Sequence, residues 1–265
     1  MTLVLSSVSR FGLVMVGDSA ITTTHLTGTL PSGDPIPRYA RFGAQKVKRV
    51  PNRPIGISFW GMGRIGPIPT DIWLDDFFAH QVQPQHTLDD ICNTLADQVN
   101  TAFGLSGQDD LGGFHVGSIL NNANEQPLPV LYHIHRGHAG QPPGRFELHR
   151  DYPFDQDFPV EQYRRNLELG IAYSLRNGYH SAFAEVQERV FQSIYALVSH
   201  HGIQIPYPPG LQSQEKFNRL LVGLMCDLFA MSNRLASVGR PISSLTIDLN
   251  GSVSFLSALS DISSV

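Results

Sequence analysis

The sequence predicts an α+β fold, a layered sandwich in which helix pairs cover antiparallel sheets. Three observations lead to this prediction. Short apolar segments of strand length occur in successive pairs along the 265-residue chain. Two blocks of longer segments carry apolar residues at helical spacing. The resulting order of elements is ββββ, αα, ββ, αα, ββ, and each sheet needs a cover for its apolar face.

The N-terminal quarter of the chain contains four predicted strands. They come as two pairs, each with a short turn between its members, and a loop rich in Thr, Gly and Pro over residues 22–44 separates the pairs. Their bounds are residues 3–8, 13–16, 46–50 and 55–59.

Two blocks of predicted helices follow from apolar stripes. In the first block, Thr70 is a plausible N-cap, and Thr87 and Asp90 stand at capping-box spacing before the second helix. The stripes of the four helices are Trp73, Leu74, Phe77 and Phe78; Leu88, Ile91, Leu95 and Val99; Phe183, Val186, Val190, Ile194 and Leu197; and Phe217, Leu220, Leu221, Leu224, Leu228 and Met231. We expect these stripes to form the core.

Two further strand pairs complete the prediction. Residues 114–120 and 130–135 are joined by a polar turn, and the second of these segments alternates with a period of two. Residues 245–249 and 253–255 flank Asn250-Gly251, which is a strong hairpin signal.

Composition excludes several classes of protein. A net charge of −4 gives no broad basic field for nucleic acid, and no apolar run is long enough for a membrane helix. The start of the chain has no signal-peptide pattern. Cys92 and Cys226 lack metal-type spacing and fit a reducing cytosol, so we expect a cytoplasmic protein. No linker divides the chain, which predicts a single domain over residues 1–265.

Thr2 is the first residue with candidate chemistry. Removal of Met1 would leave Thr2 with a hydroxyl nucleophile and a free α-amine. An α-amine has a pKa of about 8, so near neutral pH it can act as the base for the hydroxyl of its own residue. Many proteins carry Thr at this position with no such role, so Thr2 indicates this chemistry only in the company of other groups.

Three further positions could supply those groups. Asp18 follows an apolar strand, where a buried carboxylate needs a partner. Lys46 begins a basic strand; Lys46, Lys48 and Arg49 could all face solvent, or one could lie near Thr2 and favour deprotonation there. Gly61 ends a strand shortly before a helix, where a backbone N–H can bind an oxyanion.

Together these residues resemble the proteasome β-subunit and HslV family of N-terminal-nucleophile (Ntn) hydrolases. The carriers of the resemblance are the opening from Thr2 to Thr22 with Gly12-Leu13-Val14-Met15-Val16-Gly17-Asp18, the strand Lys46-Val47-Lys48-Arg49-Val50, and the turn ending in Trp60-Gly61. Counted from Thr2, Asp18 is at the position of the family's active-site Asp, and Lys46 matches its active-site Lys. Gly61 matches one of the paired glycines of the turn.

The resemblance implies a four-layer αββα sandwich and a threonine-type peptidase. Thr2 would be the nucleophile, Lys46 would tune it, and Asp18 would orient Lys46. The N–H of Trp60 or of Gly61 would hold the oxyanion. Peptides or unfolded protein would be the substrate, with no cofactor. A ring-shaped homo-oligomer and an ATPase unfoldase are the implied partners.

The sequence departs from the family in five places. Residues 19–45 form a longer connection than usual, Leu3 replaces a second Thr, and Trp60 replaces a small residue. The G-S-G element, whose Ser supports the threonine amine, has no match in residues 146–155. Ser237 could match the Ser of a later D-x-x-S-G element, although Arg234 stands where its Asp would be.

These departures leave two alternatives open. A small-molecule Ntn amidohydrolase would keep the chemistry and change the pocket through Trp60 and the 22–44 loop. A non-catalytic, ring-forming subunit would explain the missing G-S-G element.

His133, His135 and His138 could also be read as a metal cluster, but a polar strand face is the plainer interpretation, and we predict no metal.

Overall fold

The computed structural model describes residues 3–23, 39–41, 43–107, 111–121, 125–137, 144–152, 159–178, 180–201, 209–231 and 238–256. In these ranges the strands are β1 (Leu3–Ser9), β2 (Gly12–Gly17), β3 (Ile21–Thr23), β4 (Tyr39–Arg41), β5 (Val47–Arg49), β6 (Ile55–Trp60), β7 (Arg64–Ile65), β8 (Ile68–Pro69), β9 (Gly113–Leu120), β10 (Leu128–His135), β11 (Glu147–Tyr152), β12 (Tyr173–Gly178), β13 (Ser243–Asp248) and β14 (Val253–Leu256). The helices are α1 (Thr70–His80), α2 (Leu88–Ser106), α3 (Val160–Glu168), α4 (His180–His201) and α5 (Leu211–Met231).

Two five-stranded antiparallel sheets organise the fold. The first has the order β12-β1-β2-β13-β14 and the second has the order β11-β10-β9-β6-β5. Two short ribbons, β3-β4 and β7-β8, stand apart from them. The predicted α+β class is therefore confirmed, as are the predicted pairings of β1 with β2, β9 with β10, and β13 with β14.

The two sheets pack face to face. Glycines on the second sheet leave room for large side chains of the first. A Cβ on Gly56 would lie 2.7 Å from Met15 Sδ, and one on Gly117 would lie 2.4 Å from Leu13 Cδ2. The main hydrophobic core combines these residues with apolar residues of α1 and α2. Because the sheets approach so closely, the ends of their strands are brought together in space.

The other face of the first sheet is covered by α5. Leu3 and Leu5 pack in a second apolar cluster with Leu221 and Met225 of this helix. Ser6, which alternates with them, points the opposite way, toward the second sheet. The full four-layer order predicted from the family stays a prediction.

A buried polar network fixes β1 against α5. Gln214 Nε2 donates to Ser7 Oγ at 3.0 Å, and Asn218 Nδ2 donates to the same oxygen at 2.9 Å. Ser9 Oγ donates to Gln214 Oε1 at 2.7 Å. Since buried polar groups must find partners, these bonds make the register of β1 on the helix specific.

Some expectations about the helices were wrong. Leu220, Leu228 and Met231 are 59%, 43% and 83% exposed, so this edge of the α5 stripe is not core. Thr70 is not the N-cap of α1; its hydroxyl instead donates to Met62 O at 3.0 Å. The helix α3 was not predicted, whereas the capping box of Thr87 is confirmed. Within the described ranges, no helix is both long and apolar enough to cross a membrane.

Candidate active site

A buried ion pair joins the ends of two strands that belong to different sheets. Asp18 directly follows β2, and Lys46 directly precedes β5. Lys46 Nζ lies 2.7 Å from Asp18 Oδ1, and both side chains are fully buried. The two residues expected from the sequence to act together are therefore in direct contact.

The Asp18 carboxylate is saturated with hydrogen bonds. Its Oδ1 accepts from the backbone N–H of Leu3 at 2.8 Å, in addition to Lys46. Its Oδ2 accepts from the N–H groups of Ala20 at 2.9 Å and Gly239 at 3.0 Å. Such a set of donors compensates the cost of burying the charge, and it fixes the carboxylate at the N-terminal end of β1.

Lys46 is held by two oxygens. Besides the carboxylate of Asp18, its ammonium donates to the backbone carbonyl of Ala20. Burial lowers the pKa of Lys46, and the nearby charge of Asp18 opposes this effect. An ammonium has three donors. Among the described residues, only these two acceptors are bound to it, so one donor is available to a group outside them.

Gly61 forms a turn that only glycine can adopt without strain. Its φ is +75°, and a Cβ at this position would lie 2.2 Å from Leu111 O. The turn comes directly after β6, at the same end of the second sheet as Lys46, because Phe59 N–H donates to Lys46 O at 3.1 Å. Gly61 therefore lies at the strand end that carries the ion pair.

The direction of the N–H groups at the end of β6 bears on one of the two oxyanion candidates, Trp60. Phe59 N–H points toward β5, and successive N–H groups of a strand point to opposite sides. Trp60 N–H is then directed toward β9, where Trp60 pairs with Gly113. Gly61 lies beyond the end of β6 with a positive φ, so the alternation of the strand does not extend to its N–H. The N–H of Trp60 is turned away from β5 and Lys46.

The Trp60 side chain packs on a histidine. Its Nε1 donates to His133 Nε2 at 3.2 Å, and the two rings are 5.8 Å apart. His133 continues into a row of rings with His115 at 5.1 Å and His135 at 4.4 Å. His133 and His135 were weighed from the sequence as metal ligands. In the described part of the chain, no group of three or more His, Cys, Asp or Glu residues has an arrangement that could hold a metal ion.

Two residues that the sequence did not single out, Asn177 and Gly178, lie in β12, the strand beside β1. The support for the threonine amine was expected in residues 146–155, and the described part of this segment contains β11 (Glu147–Tyr152), which pairs with β10. In the structure, β12 flanks β1, with Gly178 opposite Leu3 and Asn177 opposite Val4. Asn177 Oδ1 lies 2.6 Å from His115 Nε2. No local sequence signal marks this pairing, because it joins distant parts of the chain.

Two residues expected at the site, Thr2 and Ser237, lie outside the described residues, as does His138. Two of their neighbours in the sequence are described. Leu3, which follows Thr2, is bound by Asp18, and Gly239, which comes two residues after Ser237, is bound by the same carboxylate.

Solved structures similar to this chain are Anbu proteins. An Anbu mutant designated Gly-1 from Hyphomicrobium sp. strain MC1 matches with a TM-score of 0.53 and 17% sequence identity, covering 97% of this chain and 88% of that one. Anbu, described as an ancestral β-subunit, from Yersinia bercovieri matches with a TM-score of 0.50 and 13% identity, covering 96% and 87%. No protein-family model and no curated protein matches the chain.

These matches show the fold and correct the family. The chain has the fold of the Anbu ancestral β-subunits. The assignment to the proteasome β-subunit and HslV family was wrong, because the structural neighbours are Anbu proteins and not HslV. The physical reason is that the motifs around Asp18 and Lys46 specify strand ends and one ion pair. Such short motifs do not distinguish between families that share a fold.

Proposed function

We propose that this chain is a threonine-type Ntn hydrolase that cleaves peptide (amide) bonds, with Thr2 as its nucleophile after removal of Met1. The observation that supports this most is the buried Lys46–Asp18 pair bound to the N–H of Leu3. That nitrogen belongs to the peptide bond that joins Thr2 to Leu3. A buried charge pair is costly to build, and its place one peptide bond from a candidate nucleophile favours a catalytic role.

The reaction proceeds in two steps of acyl transfer. Thr2 Oγ attacks the carbonyl carbon of the amide, while its proton passes through a water molecule to the α-amine of Thr2. The C–N bond then breaks, the leaving amine takes up this proton, and an ester of Thr2 remains. Water hydrolyses the ester, which restores the hydroxyl and releases the acid. General acid–base help of this kind contributes about 10²–10⁴-fold in rate.

Lys46 acts through its positive charge. A fixed ammonium near Thr2 disfavours a second positive charge on the α-amine and favours the alkoxide form of the hydroxyl. The third N–H of the Lys46 ammonium, which donates to no described residue, is available to Thr2 Oγ. Asp18 keeps the ammonium of Lys46 in place and accepts a hydrogen bond from the N–H of Leu3. The same carboxylate therefore orients both Lys46 and the backbone of Leu3.

Gly61 provides the oxyanion donor. The other candidate, the N–H of Trp60, is turned toward β9, and the glycine turn at Gly61 allows the substrate to approach the backbone closely. A donor of this kind is typically worth about 10²–10³-fold in kcat. Trp60, ordered by its contact with His133, forms one wall beside the donor and influences which side chain the pocket accepts.

We further propose that the chain assembles into a ring of identical subunits, that it takes peptides or unfolded protein, and that an ATPase unfoldase delivers them. The fold shared with proteins described as ancestral β-subunits supports this assembly. Native mass spectrometry of the purified chain tests it. A closed oligomer of fixed subunit number is expected, and a monomer across the concentration range would contradict it.

Activity on peptides tests the catalytic proposal. Fluorogenic peptides with varied residues before the cleaved bond are incubated with the wild type, Thr2→Ala and Thr2→Ser. We expect turnover in the wild type, partial turnover in Thr2→Ser, which keeps a hydroxyl, and none in Thr2→Ala. Turnover in Thr2→Ala equal to that of the wild type would exclude Thr2 as the nucleophile.

A further inference from the structure

The start of α1 is bound to the turn that follows Gly61. Thr70, the first residue of the helix, is fully buried. Its Oγ1 donates to Met62 O at 3.0 Å, and its backbone N–H donates to Gly63 O at 3.3 Å. The paired strands β7 and β8 lie between Gly63 and Thr70 in the chain and bring the two residues together. Thr70 therefore binds the carbonyls of both residues that follow Gly61.

The next residue of the helix is bound to the backbone beside Lys46. Asp71 Oδ2 accepts from the N–H of Gln45 at 3.3 Å. One helical turn later, Asp75 Oδ2 accepts from Lys48 Nζ at 2.6 Å. Residues four apart lie on the same face of a helix, so this face of α1 lies along β5. The helix is thus attached to the strand beside the ion pair as well as to the turn.

These attachments begin where the second sheet ends. Phe59 N–H still donates to Lys46 O, which fixes β6 against the chain at that residue. Gly61 lies two residues further on, beyond the end of β6, where its φ is +75°. The ladder between β5 and β6 therefore does not reach Gly61, and the start of α1 is the element that links its turn to the residues beside Lys46.

The surroundings of Asp71 favour a positional role for this residue. Asp71 is 8% exposed, and in the part of the chain that the structure describes its buried Oδ1 has no hydrogen-bond partner. A buried carboxylate oxygen without a donor costs free energy. The helix dipole offsets part of this cost, because Asp71 is in the first turn of α1. Departures from full satisfaction of this kind are expected at functional sites.

We propose that Thr70 and Asp71 are positioning residues that together hold the turn at Gly61 in a fixed place relative to Lys46. This inference rests on the proposed function, because it concerns the geometry between the proposed oxyanion donor and the ammonium that tunes the nucleophile. Each residue acts through the backbone group that it binds. A displacement of about 1 Å in such a site can cost on the order of 10²-fold in rate.

Hydrogen exchange followed by mass spectrometry tests the attachment of the turn without any catalysis. The wild type is compared with Thr70→Val, which removes the hydroxyl and keeps a similar shape, and with Thr70→Ser, which keeps the hydroxyl. In Thr70→Val, we expect the amides of residues 61–65 to exchange about 10-fold faster than in the wild type, because the bond to Met62 O is lost. Thr70→Ser should exchange at the wild-type rate.

Ser118→Ala is the matched control for Thr70→Val. Ser118 is 5% exposed, and its Oγ donates to Pro54 O at 2.9 Å, which is a bond of the same kind at the opposite end of β6. Its removal should leave the exchange of residues 61–65 unchanged. With a fluorogenic peptide, Thr70→Val should lower kcat about 10- to 100-fold at an unchanged KM, because the oxyanion forms only during reaction. Thr70→Ser and Ser118→Ala should keep the wild-type kcat.

Two variants of Asp71 test the second contact, and they decide the question if Thr70→Val does not fold. Asp71→Ala removes the acceptor of the Gln45 N–H, whereas the carboxamide of Asp71→Asn keeps an oxygen that can accept from it. We expect faster exchange of residues 44–46 and a lower kcat in Asp71→Ala only. Equal losses of kcat in both variants would assign the effect to the charge and overturn the positional role.

The outcomes separate this inference from the proposed function. Unchanged exchange of residues 61–65 in Thr70→Val overturns the attachment, whether or not the wild type is active. Faster exchange with unchanged kcat and KM in an active enzyme overturns the positioning role. If the wild type cleaves no peptide, faster exchange in Thr70→Val upholds the attachment of the turn, and only the proposed catalysis is removed.

Discussion

Lys46 Nζ lies 2.7 Å from Asp18 Oδ1 in a place where neither side chain is exposed. This contact joins the end of β2 in one sheet to the start of β5 in the other. A buried pair of this kind rarely adds stability over well-packed apolar residues, whereas removal of one partner leaves an uncompensated charge. The Lys46–Asp18 pair is therefore better explained by a function at these strand ends than by a contribution to the stability of the fold.

Lys46→Met should destabilise the protein strongly. It leaves the Asp18 carboxylate buried without its cation, which typically costs about 3–5 kcal/mol in the free energy of unfolding. Lys48→Met is the matched control, because Lys48 pairs at 2.6 Å with Asp75, which is 61% exposed. This pair should be worth about 1 kcal/mol or less. Urea unfolding of both variants makes the comparison, and equal losses would contradict the structural role of the buried pair.

Gly61→Ala should lower the free energy of unfolding by more than the strain that any non-glycine residue has in the left-handed conformation. Gly66→Ala is a suitable reference, since Gly66 has φ +57° and open space around its Cβ position. Strain alone costs about 1–2 kcal/mol. At Gly61 the new Cβ would meet Leu111 O at 2.2 Å, so the turn must also move. Peptidase activity should be lost only in Gly61→Ala; loss in both variants, or in neither, would argue against the oxyanion assignment.

His115 should make the protein less stable in acid. Burial lowers its pKa to about 4, and the neighbouring His135 acts in the same direction. In the unfolded chain its pKa is about 6.5, so between about pH 6.5 and 4 the unfolded state binds more protons. The stability from burying the neutral ring is present above pH 6.5 and falls by roughly 3 kcal/mol as the pH reaches about 4.

Unfolding free energies of the wild type and His115→Gln across this pH range test the prediction. The variant should lose that part of the pH dependence, whereas His80→Gln, at an exposed histidine, should retain it. Parallel pH profiles for the wild type and His115→Gln would show that the ring does not titrate in this way.

Local patterns were sufficient to predict the α+β class and the hairpins. The alternation of residues 130–135 and the Asn250-Gly251 turn depend on neighbours in sequence, and both are borne out by the pairs β9-β10 and β13-β14. The contact of Asp18 with Lys46 was also foreseen, through the family resemblance rather than through periodicity. The basic strand alone did not show that Lys46 and Lys48 are buried while Arg49 is exposed.

What the sequence did not reveal depends on contacts between distant segments. Asn177 lies in a strand with little apolar character, and only the tertiary fold shows that this strand pairs with β1. His115 is a polar residue in an otherwise apolar strand, and its hydrogen bonds to Ser6 and Asn177 arise only when distant segments come together. The exposed edge of α5 at Leu220 and Met231 was misread for a related reason, since helical spacing identifies an apolar stripe but not the side of it that is covered.

An intact mass of the protein before and after incubation with a peptide epoxyketone tests most directly whether Thr2 is a working nucleophile. The reagent needs both the hydroxyl and the free α-amine of a threonine to form its ring adduct. We predict a mass that lacks Met1 and gains one stoichiometric adduct, with no adduct in Thr2→Ala. Retention of Met1, or its loss with no adduct at any reagent concentration, would contradict the proposed catalysis.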